Sequence, residues 1–170
     1  MADRSLEAIK TVSFAERFAG SQAFSALFRE GMALVEETAS YLDGEGRLEA
    51  KGLARNEALT YATESMRLTT RLMQLASWLL LHRAVSEGEM SLAQARREKS
   101  KVNVRADQRD ADTLGYLPRH LRKLIDRSMQ IQERVHRLDG SIHAVAGEPV
   151  MLNPVALQLG ALNAAFARKA

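Results

Sequence analysis

Four histidines and no cysteine bound the chemistry open to this chain of 170 residues. Glu133-Arg134-Val135-His136 is a Glu-x-x-His pair, the spacing with which di-iron bundles place two ligands on one helix face. Such a site needs a second copy and further inward carboxylates, and the sequence has no second copy. His82, His120 and His143 are scattered without mutual ligand spacing, so they read as surface or satisfied histidines, and no metal or cofactor is expected. The missing cysteine removes disulfides, thiolate nucleophiles and cysteine-based zinc sites. Gly44-Glu45-Gly46 lacks the third glycine of a nucleotide loop and follows a helix pattern where that motif requires a strand, so it reads as a helix stop. No G-x-S-x-G elbow accompanies any serine. The expectation is a protein without catalytic residues.

Two basic segments point to partners instead. Ala84 to Gly88 followed by Ser91 to Arg97 has the outline of a helix-turn-helix with Arg96 and Arg97 on its second helix. Its first helix is the end of a very long amphipathic one, and no basic stripe with stacking aromatics accompanies it. The formal net charge of +3 is modest for a nucleic-acid binder. A solvated hairpin and a helical DNA-binding regulator both stand as readings. Arg119, Arg122, Lys123 and Arg127 cluster farther on, with Arg134 and Arg137 beyond them. They form either a solvated face or a surface for an acidic protein partner.

The elements that must carry these residues are helices. Aromatics make up 5% of the chain against 46% hydrophobic residues overall, an aliphatic balance suited to a helical core. Ser21 is a plausible cap for a first helix to about Asp43, with Phe24, Leu27, Phe28, Leu34, Val35, Tyr41 and Leu42 as its stripe. Gly31 falls on that stripe, where a close helix crossing would offset its poor propensity. A polar connection to about residue 54 leads into a second helix reaching about Val85, with Leu59, Ala62, Met66, Leu72, Met73, Ala76, Leu79 and Leu80 as its apolar positions. Ser91 and Gln94 form a capping box for a short charged helix. Pro118 opens a third long helix bearing Leu121, Leu124, Ile125, Ile131, Val135 and Leu138, which Gly140 ends. The predicted architecture is an all-α antiparallel three-helix bundle with one short extra helix. Residues 1–20 form a loose N-terminal arm, 21–140 the bundle and 141–170 a flexible tail.

The run from Met73 to Leu81 is apolar around most of its circumference, more than a three-helix bundle covers from one side. A homodimer seam at Met73, Trp78, Leu80 and Leu81 would bury the remainder; flanking segments of the same chain are the alternative. The run is far short of the roughly 20 residues that span a bilayer, and MADRSLEAIK has no apolar core of a secretory signal. No membrane insertion is expected, and the cytoplasm is the expected compartment. In the tail, Asn153 and Pro154 can start a helix whose Val155, Leu159, Leu162 and Phe166 share one face, a segment that would order on contact.

Ser13-Phe14-Ala15-Glu16-Arg17-Phe18, the stretch Phe28 to Thr38 (FREGMALVEET) and the run Tyr61 to Leu81 (YATESMRLTTRLMQLASWLLL) resemble the RcdA family, the regulator of CtrA degradation. Residues 117–139 (LPRHLRKLIDRSMQIQERVHRLD) are similar in register. The resemblance implies a dimeric three-helix adaptor without enzymatic activity that joins a ClpXP protease complex primed by the response regulator CpdR. It also implies cargo recruitment through the C-terminal tail, and docking of the cyclic-di-GMP-binding adaptor PopA for delivery of CtrA.

Overall fold

The computed structural model describes residue 17, residues 21–99 and residues 114–147. Its elements are α1 (Gln22–Asp43), α2 (Glu45–Lys51), α3 (Arg55–Ser86), α4 (Leu92–Lys99), a 3-10 turn (Leu114–Tyr116) and α5 (Arg119–Gly147). The described residues contain no strand, as the composition predicts. The Phe14 and Phe18 staple and the Val155 to Phe166 stripe lie outside the described residues.

Ser21 caps α1 as expected, its hydroxyl accepting from the Phe24 N–H at 3.2 Å. A cap of this kind contributes about 1 kcal/mol. Gly44 ends α1, but the connection after it is not wholly irregular, because α2 follows at once. Buried Tyr41 is the reason: its phenol donates to Glu49 Oε2 at 2.6 Å and so ties α2 down. Gly46 makes the approach possible, since a Cβ there would stand 2.6 Å from Tyr61 Oη and 2.8 Å from Tyr41 Cε1. Burial first, and then the bond to Glu49, push the Tyr41 phenol far above its ordinary pKa, and burial also raises Tyr61.

The directions of the three long helices follow from their paired residues. Glu30 and Glu37 on α1 meet Arg134 and Arg127 on α5, in reversed order. Arg71 and Trp78 on α3 meet Ser128 and Asp139 on α5, in the same order. Helix α1 is therefore antiparallel to α5, and α3 and α5 run parallel to each other. The chain must return the length of the bundle between α3 and α5. Helix α4 begins that return by folding back along α3, started by the expected capping box: the Ser91 N–H donates to Gln94 Oε1 at 2.9 Å, and the Gln94 N–H to Ser91 Oγ at 3.2 Å.

The core joins Phe24, Leu27 and Leu34 of α1 to Leu68, Leu72 and Leu75 of α3 and to Leu121, Leu124 and Ile131 of α5. At Gly31 the close crossing is real, for a Cβ would sit 2.5 Å from Leu79 Cδ1.

Three expectations are corrected. Trp78 is not on a dimer surface: it is 1% exposed within a single chain. Its ring stacks on His82 with centroids 4.0 Å apart, and its Nε1–H donates to Asp139 Oδ1 at 2.9 Å. Asp139 in turn pairs with Lys99, which fastens α4 to the same polar cluster. Secondly, Leu59, Met66, Met73 and Leu80 are not core; they are 69%, 72%, 67% and 53% exposed. Helix α3 carries apolar residues on two faces, and the bundle takes the one bearing Leu68, Leu75 and Trp78. Thirdly, α5 does not stop at Gly140 but continues to Gly147. A mid-helix glycine costs about 1 kcal/mol, which is outweighed by burying Ile142 at roughly 1.5–3 kcal/mol.

Candidate functional site

The outward face of α3 is the first candidate surface. Leu59, Met66, Met73 and Leu80 recur every seven residues, the period of a coiled-coil seam. They span about 32 Å at 1.5 Å per residue. Between them lie Ala62, Thr63, Thr69, Thr70, Ala76 and Ser77, so this face has no charged residue from Leu59 to Leu80. Three of its four hydroxyls turn inward. The Thr63, Thr69 and Ser77 hydroxyls each donate at 2.9 Å to the carbonyl four residues back, on Leu59, Ser65 and Met73. Apart from the Thr70 hydroxyl, the outward surface is therefore methyl and thioether, which another surface can cover while stranding few donors. Of the residues predicted for a dimer seam, Met73 and Leu80 lie here, Leu81 is half-buried at its margin and Trp78 is in the core. Leu59 and Met66 belong to the surface although the periodicity placed them inside. Their seven-residue spacing with Met73 and Leu80 was the available signal.

The start of α5 is the second. Arg127 donates to Glu37 at 2.5 Å and Arg134 to Glu30 at 2.6 Å, so both brace α5 against α1. Arg127 thus leaves the set of available partner cations. Arg119, Arg122 and Lys123 are exposed and make no ion pair among the described residues. Arg119 and Lys123 line a cleft with His120, Arg127, Glu37, Glu45 and Glu49. The His120 ring lies 4.5 Å from Tyr41 between centroids, and its two nitrogens are each 3.5 Å from a carboxylate, Glu37 on one side and Glu45 on the other. Exposed Tyr116 just precedes this helix, and exposed Leu48 lies on α2, the helix that supplies Glu45 and Glu49 to the cleft. Neither stood out in the sequence, where Leu48 is a single large apolar residue in a polar stretch and Tyr116 sits between Leu114 and Leu117 with no helical period.

The Arg127 guanidinium, with a smaller contribution from His120, holds Glu37 below the ordinary carboxylate range against the opposing effect of burial. A depressed folded-state pKa stabilises above the unfolded value, and the contribution is lost as pH falls through the folded value. Because Glu37 is well exposed, the effect is small. Glu37→Gln is expected to cost less than about 1 kcal/mol at neutral pH, a difference that fades as pH falls through the lowered folded-state pKa of Glu37, where the parent residue is protonated as well. Urea unfolding across that range checks it; a difference persisting in acid would refute the assignment.

The remaining candidates do not assemble. Glu133 and His136 lie on the exposed side of α5, and among the described residues no group of three or more His, Cys, Asp or Glu is placed to hold a metal ion. The hairpin at 84–97 packs rather than projects: Ala95 is buried, Arg96 is half-buried and Lys99 is held by Asp139. A recognition helix needs its cations outward. Among the described residues no helix is long and apolar enough to cross a membrane.

The model of a family described as a protein of unknown function (DUF1465) matches residues 15–166. No curated protein matches the chain. Among solved structures, RcdA from Caulobacter crescentus CB15 is 51% identical, with a TM-score of 0.62, and the match covers 75% of this chain and 96% of that one. With this identity over nearly the whole of a solved relative, the chain belongs to the RcdA family.

Proposed function

We propose that this protein is a non-enzymatic adaptor that brings substrates to a protease for regulated degradation. The observation that carries the reading is the charge-free face of α3, a surface built to be covered by protein. Its seven-residue spacing fits a second copy of the same helix, which makes a homodimer. The gathered cations at the start of α5 give a second, chemically different surface for an acidic partner. An adaptor needs little more: two linked weak contacts raise the local concentration of cargo at the protease, which supplies unfolding and cleavage. Following the family resemblance, the protease is ClpXP primed by CpdR, cargo includes CtrA, and PopA is an accessory partner. The C-terminal segment with Val155, Leu159, Leu162 and Phe166 is the cargo-recruiting part. The site of action is the cytoplasm, with recruitment to a cell pole.

The test is truncation after Gly147, since cutting at Gly140 would remove buried Ile142. The shortened chain is expected to keep its helical content and lose cargo delivery in a reconstituted degradation assay with ClpXP and CpdR. Undiminished delivery of every cargo would contradict the tail's role, and cargo degradation equally fast without any adaptor would overturn the reading as a whole.

A further inference from the structure

Helix α5 uses its cations in two different ways. Arg127 and Arg134 are locked to α1 and serve the bundle. Arg119, Arg122 and Lys123, one and two turns earlier, make no ion pair among the described residues, although Arg119 and Lys123 line a cleft that also holds Glu37, Glu45 and Glu49. Those acids are already engaged: Glu37 accepts from Arg127, Glu49 accepts from Tyr41, and Glu45 faces His120. The cleft is internally satisfied, while its cationic rim is not. Two large exposed apolar side chains neighbour these elements in the chain: Tyr116, three residues before Arg119, at 67% exposure, and Leu48, on the helix that supplies Glu45 and Glu49, at 69%. Arginine beside an exposed tyrosine is the composition of a binding hot spot.

We infer that the rim of this cleft, with Arg119, Arg122 and Lys123 supplying charge and Tyr116 and Leu48 supplying apolar contact, docks an acidic protein segment that carries an apolar side chain. The cations attract and steer the carboxylates. Tyr116 and Leu48 give the contact its discrimination, since charge alone accepts any polyanion. The inference rests on the adaptor reading and identifies one kind of partner for it.

Its test uses the full chain and a fluorescein-labelled peptide of about twelve Asp and Glu residues with one central Phe, followed by fluorescence anisotropy at low and physiological salt. Arg119→Glu with Lys123→Glu is expected to weaken binding at least about tenfold, and Arg119→Gln with Lys123→Gln to weaken it less. Tyr116→Ala is expected to remove most of the preference for the Phe peptide over one with Ser in its place. The control, Arg29→Glu with Arg137→Glu, makes the same change in net charge elsewhere and is expected to bind like the parent. Equal losses in rim and control variants, or equal affinity for duplex DNA, would overturn the inference. Because no protease is present, failure of peptide binding is distinguishable from failure of cargo delivery.

Discussion

Replacing Trp78 by alanine is expected to lower the unfolding free energy by about 3–5 kcal/mol, enough to threaten the fold of a domain this size. Three losses combine. The ring is 1% exposed and packs against Phe24 and His82, with centroids 6.5 Å and 4.0 Å away. Removing it leaves a cavity between α1 and α3. Asp139 then loses the indole donor at 2.9 Å, at a point where it also holds Lys99. Helix α4, which is short and attached by Ala95 and that ion pair, is expected to loosen with it. Met73→Ala and Leu80→Ala are the comparison, because both side chains are more than half exposed. Each is expected to change monomer stability by less than about 0.5 kcal/mol. Urea unfolding monitored by circular dichroism checks all three, and a mild Trp78→Ala would show that the core does not depend on this ring.

The second large effect is on assembly. Met66→Glu combined with Met73→Glu is expected to leave the monomer folded and to abolish self-association at micromolar concentration. In a twofold dimer each substitution counts twice, so four apolar side chains are lost from one seam and four charges enter it. Burying one such side chain is worth roughly 1.5–3 kcal/mol, and each 1.4 kcal/mol is a factor of ten in Kd. A loss of at least about a hundredfold follows even if each methionine is only partly covered. Light scattering with matched circular dichroism reads the result. A monomeric parent protein would end the dimer reading, and a variant with unchanged dimer mass would move the seam off this face. Trp78→Glu cannot serve as this test, because it would unfold the bundle before reporting on any interface.

Several levels of this protein are written in local sequence. The Ser21 cap, the Ser91 and Gln94 box, the three long helices and the close crossing at Gly31 each depend on residues within a turn or two of one another, or on one position where any Cβ would clash. The segments that resemble the RcdA family are contiguous for the same reason.

Other features depend on distant residues meeting. Helix α3 has two apolar faces, and its own periodicity does not say which will be buried. That choice is made with Ser128 and Asp139, some sixty positions away, which accept from the Arg71 guanidinium and the Trp78 indole on one face only. Likewise, a glycine at 140 is a sound stop signal until Ile142 finds a place in the core, and one arginine of a basic cluster becomes a brace when Glu37 lies opposite it. The sequence by itself determined a helical protein, its main segments and its family. Only the tertiary structure decided which apolar stripe is core and which is surface, and which cations remain for a partner, because burial and pairing are properties of two elements together and not of either alone.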